Sequence, residues 1–241
     1  MINTIATVRD ITRFRQADEL KSEFVSIVSH ELKTPVALIK GYVSTLRRDD
    51  VEWDCNVMDN SLQVIEEEAD RLTSLIENLS DASRLQAGGM QLKRTDINLH
   101  HIANRLATRF QVQTEDHEII VNIPEDFPII MADETRIEQV ISNMLSNAIK
   151  YASDGEITIS GQAHPDQVII CITDEGPGIA TSDLPHIFDR FYRAPENSRK
   201  TKGAGLGLYL ARANVEAHNG RMWADPKTDK GARICFSLPR E

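Results

Sequence analysis

The chain has 241 residues, 41% of them hydrophobic and 27% charged, which allows one large domain or two modest ones with an apolar core. The formal net charge of −10 argues against a nucleic-acid partner, because a phosphate backbone attracts basic proteins. No stretch approaches 18 consecutive apolar residues and no signal peptide is recognisable, so we expect no membrane span in this chain. These features predict a cytoplasmic protein, or the soluble part of a longer, membrane-bound one.

The first 90 residues have the periodicity of long helices. Residues 1–19 are typical of a strand end that runs into a helix, and we interpret them as a linker or the tail of an upstream sensory domain. Apolar residues recur at steps of three and four over 10–48, so that residues 20–48 alone would form a helix about 40 Å long. Residues 49–56 interrupt the pattern and predict a loop. A second helix follows over 57–87 and ends at the two glycines after it.

Two long helices joined by a short loop form a hairpin, which buries only one apolar stripe. Pairing two hairpins closes a four-helix bundle, so we predict a homodimer through a dimerisation domain over residues 20–90. The alternative is that the hairpin packs on the second half of its own chain.

Residues 91–241 alternate between strand and helix patterns, which predicts an α/β sandwich domain with a sheet on one side and helices on the other. The strand-like runs lie at 118–123, 156–162, 167–174, 221–224 and 232–239, and the helical patterns at 97–113, 133–151 and 205–219. The polar stretch 193–205 has no periodicity and predicts a mobile loop.

The three cysteines, Cys55, Cys171 and Cys235, are widely spaced and form no CxxC pair. This spacing argues against a zinc site and against a disulfide framework. Cys171 and Cys235 fall in apolar strand-like runs, where we expect reduced, buried thiols.

The helix pattern at 133–151 has a polar stripe beside its apolar face. Arg136, Asn143, Asn147 and Lys150 follow one another at steps of seven, four and three. Asparagine is a poor helix former, so two aligned asparagines need a reason. An amide oxygen suits Mg²⁺, while amide N–H groups and a lysine suit phosphate oxygens. A solvated polar face is the alternative.

Two glycine-rich stretches follow this helix. In "DEGPGI" (174–179), Asp174 ends a strand and could accept a hydrogen bond from an exocyclic amine, while Gly176 and Gly178 allow close approach of the backbone. In "GAGLGLYLAR" (203–212), glycines lead directly into a helix, whose N-terminal N–H groups favour phosphate. Each stretch alone also fits an ordinary turn or loop.

In this order the motifs resemble the catalytic core of the sensor histidine kinases of two-component signalling. "SHELKTP" (29–35) resembles the H-box, "NMLSNAIKY" (143–151) the N-box, "DEGPGI" the first G-box, "IFDRFYR" (187–193) the F-box and "GAGLGL" (203–208) the second G-box. The resemblance covers about residues 20–239.

The resemblance implies an ATP- and Mg²⁺-dependent kinase that phosphorylates His30 and passes the phosphoryl group to the receiver domain of a response regulator, with phosphatase activity toward that regulator. It implies Asn143 as the Mg²⁺ ligand and Asp174 as the adenine-specifying carboxylate. The other implied nucleotide-site residues are Asn147, Lys150, Tyr151, Gly176, Gly178, Phe188, Phe191, Arg193, Gly203, Gly205, Leu206 and Gly207. Ala204 and Asn219 depart from the family pattern, which often has a hydroxyl residue and a glycine at these places.

The H-box residues suggest how the histidine would react. Glu31 could accept the Nδ1 proton of His30, which leaves Nε2 to attack the γ-phosphoryl group. Thr34, four residues later on the same helical face, could orient a water molecule for regulator dephosphorylation. Pro35 lacks an N–H and should bend the helix beside the nucleophile. Competing interpretations are an ATPase without phosphotransfer and a non-catalytic nucleotide-binding scaffold.

Overall fold

A computed structural model of the chain describes residues 12–48, 50, 51, 53–86, 91–194, 204–226 and 230–240. The internal contacts of the chain divide it into two compact units, and the boundary between them in the sequence lies after Ile76, inside the second helix. The predicted division into a dimerisation domain over 20–90 and a nucleotide-binding domain over 91–241 stays a prediction. In the described part of the chain, no helix is both long and apolar enough to cross a membrane.

The first unit is built from two long helices. Helix α1 spans Thr12–Leu46, with Pro35 inside it, and α2 spans Cys55–Gln86. The Asp54 carboxylate accepts a hydrogen bond from the Asn56 N–H (2.8 Å) at the start of α2. The connection between the helices is 47–54, so it lies two residues earlier than the predicted loop at 49–56. Between the two helices, Arg71 forms an ion pair with Glu31 at 3.4 Å.

Several large apolar side chains of these helices are exposed in the single chain. They are Val36, Val43, Val57, Met58, Leu62 and Ile76. An apolar seam of this kind is the surface that the predicted four-helix bundle would bury.

The second unit is an α/β domain, which confirms the predicted fold class. Its helices are α3 (Leu99–Gln111), α4 (Glu134–Tyr151) and α5 (Gly207–Ala217). Its strands are β1 (Thr95–Ile97), β2 (His117–Asn122), β3 (Ile130–Ala132), β4 (Gly155–Ala163), β5 (Gln167–Thr173), β6 (Arg221–Ala224) and β7 (Arg233–Pro239).

The five-stranded sheet has the order β2-β4-β5-β7-β6, in which only the β2–β4 pair is parallel. Alternate residues of β5, such as Ile170 and Ile172, join the apolar faces of the helices in one core. The β1–β3 pair forms a separate two-stranded sheet that the sequence did not predict. Each of these strands has only three residues, too few to show a period.

Buried polar groups fix the start of α4 against the end of α5. Asp133 caps α4 by accepting from the Arg136 N–H, and its own N–H donates to His218 Nε2 (2.9 Å). His218 Nδ1 in turn donates to the Asn214 carbonyl (2.7 Å). Burial lowers the pKa of His218 below its usual value, which favours the neutral ring that this pattern requires.

The expectation of reduced cysteines is wrong for two of the three. Cys171 on β5 lies directly opposite Cys235 on β7, and the two form a disulfide with Cα atoms 4.1 Å apart. The spacing of 64 residues hid this pairing, because only the register of the strands brings the two residues together. Cys55 is free and exposed.

Candidate nucleotide-binding site

Helix α4 carries the polar stripe that the sequence predicted. Its apolar face, which includes Met144 and Leu145, is fully buried, whereas Asn143, Asn147 and Lys150 are only half-buried beside it. The Nδ2 atom of Asn143 is buried and has no hydrogen-bond partner among the described residues. An unsatisfied buried amide is costly, so this group is suited to a polar ligand.

At the end of α4, Lys150 and Tyr151 lie side by side. The Lys150 Nζ atom is 5.0 Å from the centre of the Tyr151 ring, in a cation–π contact. This places a cation and an aromatic face at the C-terminal end of the helix that carries Asn143.

The first residue of the stripe has a different partner. The Arg136 Nη1 atom donates to Asp81 Oδ2 at 2.6 Å and to Gln139 Oε1 at 3.0 Å. Burial alone would raise the pKa of Asp81, but hydrogen bonds from Arg136 and Gln139 and the Arg136 charge lower it below the usual value. Although Arg136 and Asn143 have the spacing of one helical stripe, the Arg136 side chain therefore binds Asp81 and Gln139.

Asp174 follows β5 and is buried, and backbone groups hold its carboxylate. The Oδ1 atom accepts from the N–H of Gly176 (2.9 Å) and from the N–H of Ala232 (3.1 Å). Both bonds end on Oδ1, so among the described residues Oδ2 is left for a ligand. The role of Asp174 as an acceptor for an exocyclic amine stays a prediction.

The residues just before β7, Gly231 and Ala232, contact Asp174, and the sequence did not predict this contact. Gly231 has a φ of +71°, and a Cβ atom there would overlap the Asp174 carbonyl. The Asp174 N–H also donates to the Ala232 carbonyl (3.0 Å). The single glycine before an apolar strand was the available signal, but backbone donors such as Ala232 leave no mark in a sequence.

The glycines after Asp174 allow close approach of the backbone to other parts of the chain, while the predicted approach to a ligand stays a prediction. A Cβ atom on Gly176 would lie 3.0 Å from both Asp174 Oδ1 and Ala152 Cα. Gly178 has a φ of +78°, a conformation that side chains rarely adopt.

Helix α5 begins at Gly207 without a side-chain cap, because the residue before it is the buried Leu206. Helices α3 and α4, in contrast, are capped by Asn98 and Asp133. Among the described residues no side chain caps the first N–H groups of α5, and an anion is the ligand that such groups favour. A Cβ atom on Gly207 would lie 3.5 Å from Asn143 Oδ1, so this helix start adjoins the polar stripe.

The F-box stretch is attached to the second G-box through its backbone. Phe188 is buried in the core, and the Phe191 N–H donates to the Gly205 carbonyl at 3.0 Å. Phe191 has a φ of +64°, unusual for a residue with a side chain. Arg193 is half-buried near the end of this stretch, whereas Gly203 and most of the predicted mobile loop lie outside the described residues.

The H-box lies on α1, in the first unit. His30 is helical, but its side chain lies outside the described part of the structure, so the predicted contact with Glu31 stays a prediction. Glu31 is half-buried in its ion pair with Arg71, Thr34 is exposed and Pro35 is buried. Helix α1 continues through Pro35 to Leu46.

Two family descriptions match this chain. The His Kinase A (phospho-acceptor) domain matches residues 20–88, and the histidine kinase-, DNA gyrase B- and HSP90-like ATPase family matches residues 132–241. Sensor histidine kinase WalK of Bacillus subtilis (strain 168) is 35% identical over 98% of the chain. The chain belongs to the sensor histidine kinase family. This confirms the resemblance drawn from the five motifs.

The histidine kinase chain spans 39% of the length of the Bacillus subtilis relative. Among solved structures, histidine kinase AdeS of Acinetobacter baumannii has the same fold, with a TM-score of 0.67 and 23% identity, over 88% of this chain and 98% of that one. Histidine kinase ThkA, solved in complex with the response regulator protein TrrA, has a TM-score of 0.67 and 22% identity, over 99% of this chain and 69% of that one.

The described residues fit a magnesium-bound adenine nucleotide. Asp174 Oδ2 offers an acceptor for the adenine amine, and the start of α5 offers donors for phosphates. Within the described ranges, no three His, Cys, Asp or Glu side chains come together as a metal cluster. A Mg²⁺ ion held by the Asn143 amide would therefore take its remaining ligands from phosphates and water, as this ion commonly does.

Proposed function

We propose that this chain is an ATP-dependent protein histidine kinase that autophosphorylates His30 and transfers the phosphoryl group to an aspartate of a response regulator. One observation carries the nucleotide-binding part: the buried, unsatisfied Asn143 amide adjoins the uncapped start of α5. The Asn143 Nδ2 atom, which has no partner among the described residues, and the first N–H groups of α5 supply hydrogen-bond donors for phosphate oxygens in one place, and the neighbouring Asn143 Oδ1 atom is the group that would bind Mg²⁺. The phosphotransfer part is supported by the match to the phospho-acceptor domain over residues 20–88.

In the proposed reaction, His30 Nε2 attacks the γ-phosphorus of ATP, an N–P bond forms, and the bond from phosphorus to the bridging oxygen of ADP breaks. Glu31 accepts a hydrogen bond from the Nδ1–H group, which fixes the neutral tautomer with Nε2 free to attack, and stabilises the positive charge that develops on the ring. Arg71, paired with Glu31, balances the charge of that carboxylate. Lys150 and Asn147 would hold phosphate oxygens, and Mg²⁺ bound by the Asn143 amide oxygen would offset their charge.

The proposed assembly is a homodimer, and the proposed partner is a receiver domain. The exposed apolar seam of α1 and α2 supports pairing of two hairpins. A response regulator is also the partner seen with ThkA, a protein of the same fold. Phosphatase activity toward the regulator is a second candidate function, favoured by the position of Thr34, an exposed hydroxyl-bearing residue four residues after His30.

A His30→Gln variant tests the proposal. After incubation with γ-labelled ATP and Mg²⁺, the wild-type chain should gain acid-labile label, and the variant should gain none while its ATP affinity changes less than twofold. His101→Gln is the matched control, because His101 is an exposed histidine on α3 and should leave labelling unchanged. Phosphate release without label on the wild-type protein would instead favour an ATPase without phosphotransfer.

A further inference from the structure

The Cys171–Cys235 pair lies close to Asp174 in the sheet: Cys171 is three residues before Asp174, and Cys235 is three residues after Ala232, the hydrogen-bond partner of Asp174. In the register of β5 and β7, Cys171 is opposite Cys235, and Thr173 is opposite Arg233. One step further, Asp174 exchanges hydrogen bonds with Ala232, at 3.0 and 3.1 Å. The same two strands therefore carry the disulfide and the groups that aim the adenine-binding carboxylate.

The two strands lie close together at the disulfide. The two Cα atoms are 4.1 Å apart, less than the separation of about 4.5 Å that is usual for the closer kind of antiparallel pair. Opening the bond would let β5 and β7 relax toward the ordinary spacing. Because Asp174 and Ala232 come next after the Thr173–Arg233 pair, a change of strand spacing would alter the lengths of their two hydrogen bonds.

The surroundings of Cys171 favour thiol chemistry. The Arg233 Nη2 atom lies 3.6 Å from Cys171 Sγ, and a neighbouring cation stabilises a thiolate, which is the reactive form. Both cysteines are buried, so exchange requires local opening of the strands and is expected with low-molecular-weight disulfides rather than with other proteins.

We propose that Cys171 and Cys235 form a reversible redox site that sets the affinity of the neighbouring nucleotide site, an inference that rests on the proposed ATP-binding function. The oxidant is a low-molecular-weight disulfide. The Cys171 thiolate attacks one of its sulfurs and releases one small thiol, and the Cys235 thiolate then attacks the Cys171 sulfur and releases the second. Two electrons and two protons pass from the protein to the two small thiols. The closed form holds Asp174 in place and binds ATP more tightly.

The test compares the whole chain after equilibration with oxidised glutathione or with dithiothreitol. Free thiols are counted by mass after alkylation under denaturing conditions, and ATP affinity is measured with a fluorescent ATP analogue. We expect one free thiol in the oxidised form, three in the reduced form, and about fivefold weaker binding after reduction. Three free thiols under both conditions would overturn the proposal.

Variants separate the pair from the rest of the chain. Cys171→Ser and Cys235→Ser should bind nucleotide like the reduced wild type and lose the redox response, whereas Cys55→Ser, at the exposed free cysteine, should keep it. Equal affinity of the oxidised and reduced wild type would overturn the coupling even if the bond forms. Absence of nucleotide binding in both forms would overturn the nucleotide site itself, and the thiol count would show whether the bond still forms.

Discussion

The Asp174 carboxylate is directed by two backbone N–H groups that bind the same oxygen. An Asp174→Asn variant should keep these bonds through its amide oxygen but turn an NH₂ group toward the adenine amine. The loss of one charge-assisted hydrogen bond and the clash of two donors should weaken ATP binding about tenfold to a hundredfold. Titration with a fluorescent ATP analogue measures this, and Asp96→Asn on β1 is an exposed control. Unchanged affinity and unchanged preference for ATP over GTP would exclude Asp174 from the site.

Thr34 is the residue at which kinase and phosphatase activities can be separated. Thr34 is an exposed residue one helical turn after His30, and it takes no part in the proposed phosphotransfer. Thr34→Ala should therefore keep autophosphorylation, while the phosphorylated regulator persists about tenfold longer in the presence of ADP. Thr45→Ala, exposed on the same helix, is the control. Dephosphorylation at the wild-type rate in Thr34→Ala would exclude a role for this hydroxyl.

Among the structural elements, the end of α2 depends on a polar contact with α4. Asp81 Oδ2 accepts from Arg136 Nη1 (2.6 Å) and Gln139 Nε2 (3.1 Å), and neither charged side chain is more than a quarter exposed. Asp81→Asn should lower the free energy of unfolding by about 1–3 kcal/mol, with a coupling to Arg136→Gln of about 1–2 kcal/mol. Urea denaturation of both single variants and the double variant measures the coupling. A coupling near zero would contradict the prediction.

The matched control is the exposed pair between Arg105 and Glu134, on α3 and α4, whose coupling should be below about 1 kcal/mol. Acid provides a second check. The pKa of Asp81 is lowered in the folded chain, so its stabilisation is complete above the unfolded value near 3.8 and is lost as the pH falls through the folded value. The difference between wild type and Asp81→Asn should therefore shrink in strong acid.

The elements themselves were largely predictable, and their polar contacts were not. Helix α4 and strand β5 have patterns long enough to establish the type of element and its buried face. The sequence also predicted correctly that Asn143 lies on a helix and that Asp174 follows a strand. Asp81 and Arg136 are 55 residues apart, and the partner of Asp174 is the backbone of Ala232, so neither contact follows a local pattern. The cysteine pairing likewise needed the register of two strands.

For the whole molecule, the exposed seam of α1 and α2 predicts the oligomeric state. Light scattering should give twice the chain mass of 27.1 kDa. Leu62→Asp, at a side chain 52% exposed in the single chain, should shift the protein toward monomer because it would place a charge in the bundle core. Val112→Asp, on the second unit and 86% exposed, should remain dimeric. A folded wild-type monomer would contradict the bundle.

The hydrogen bond between the Phe191 N–H and the Gly205 carbonyl has a consequence for chain length. It joins the two residues that flank residues 192–204, so the spacing of the flanks does not depend on how many residues lie between them. Lengthening a loop whose ends are already held together costs only about 0.6 kcal/mol for each doubling. An insertion within 195–203, such as a peptide tag or a fluorescent label site, should therefore leave the fold of the second unit intact.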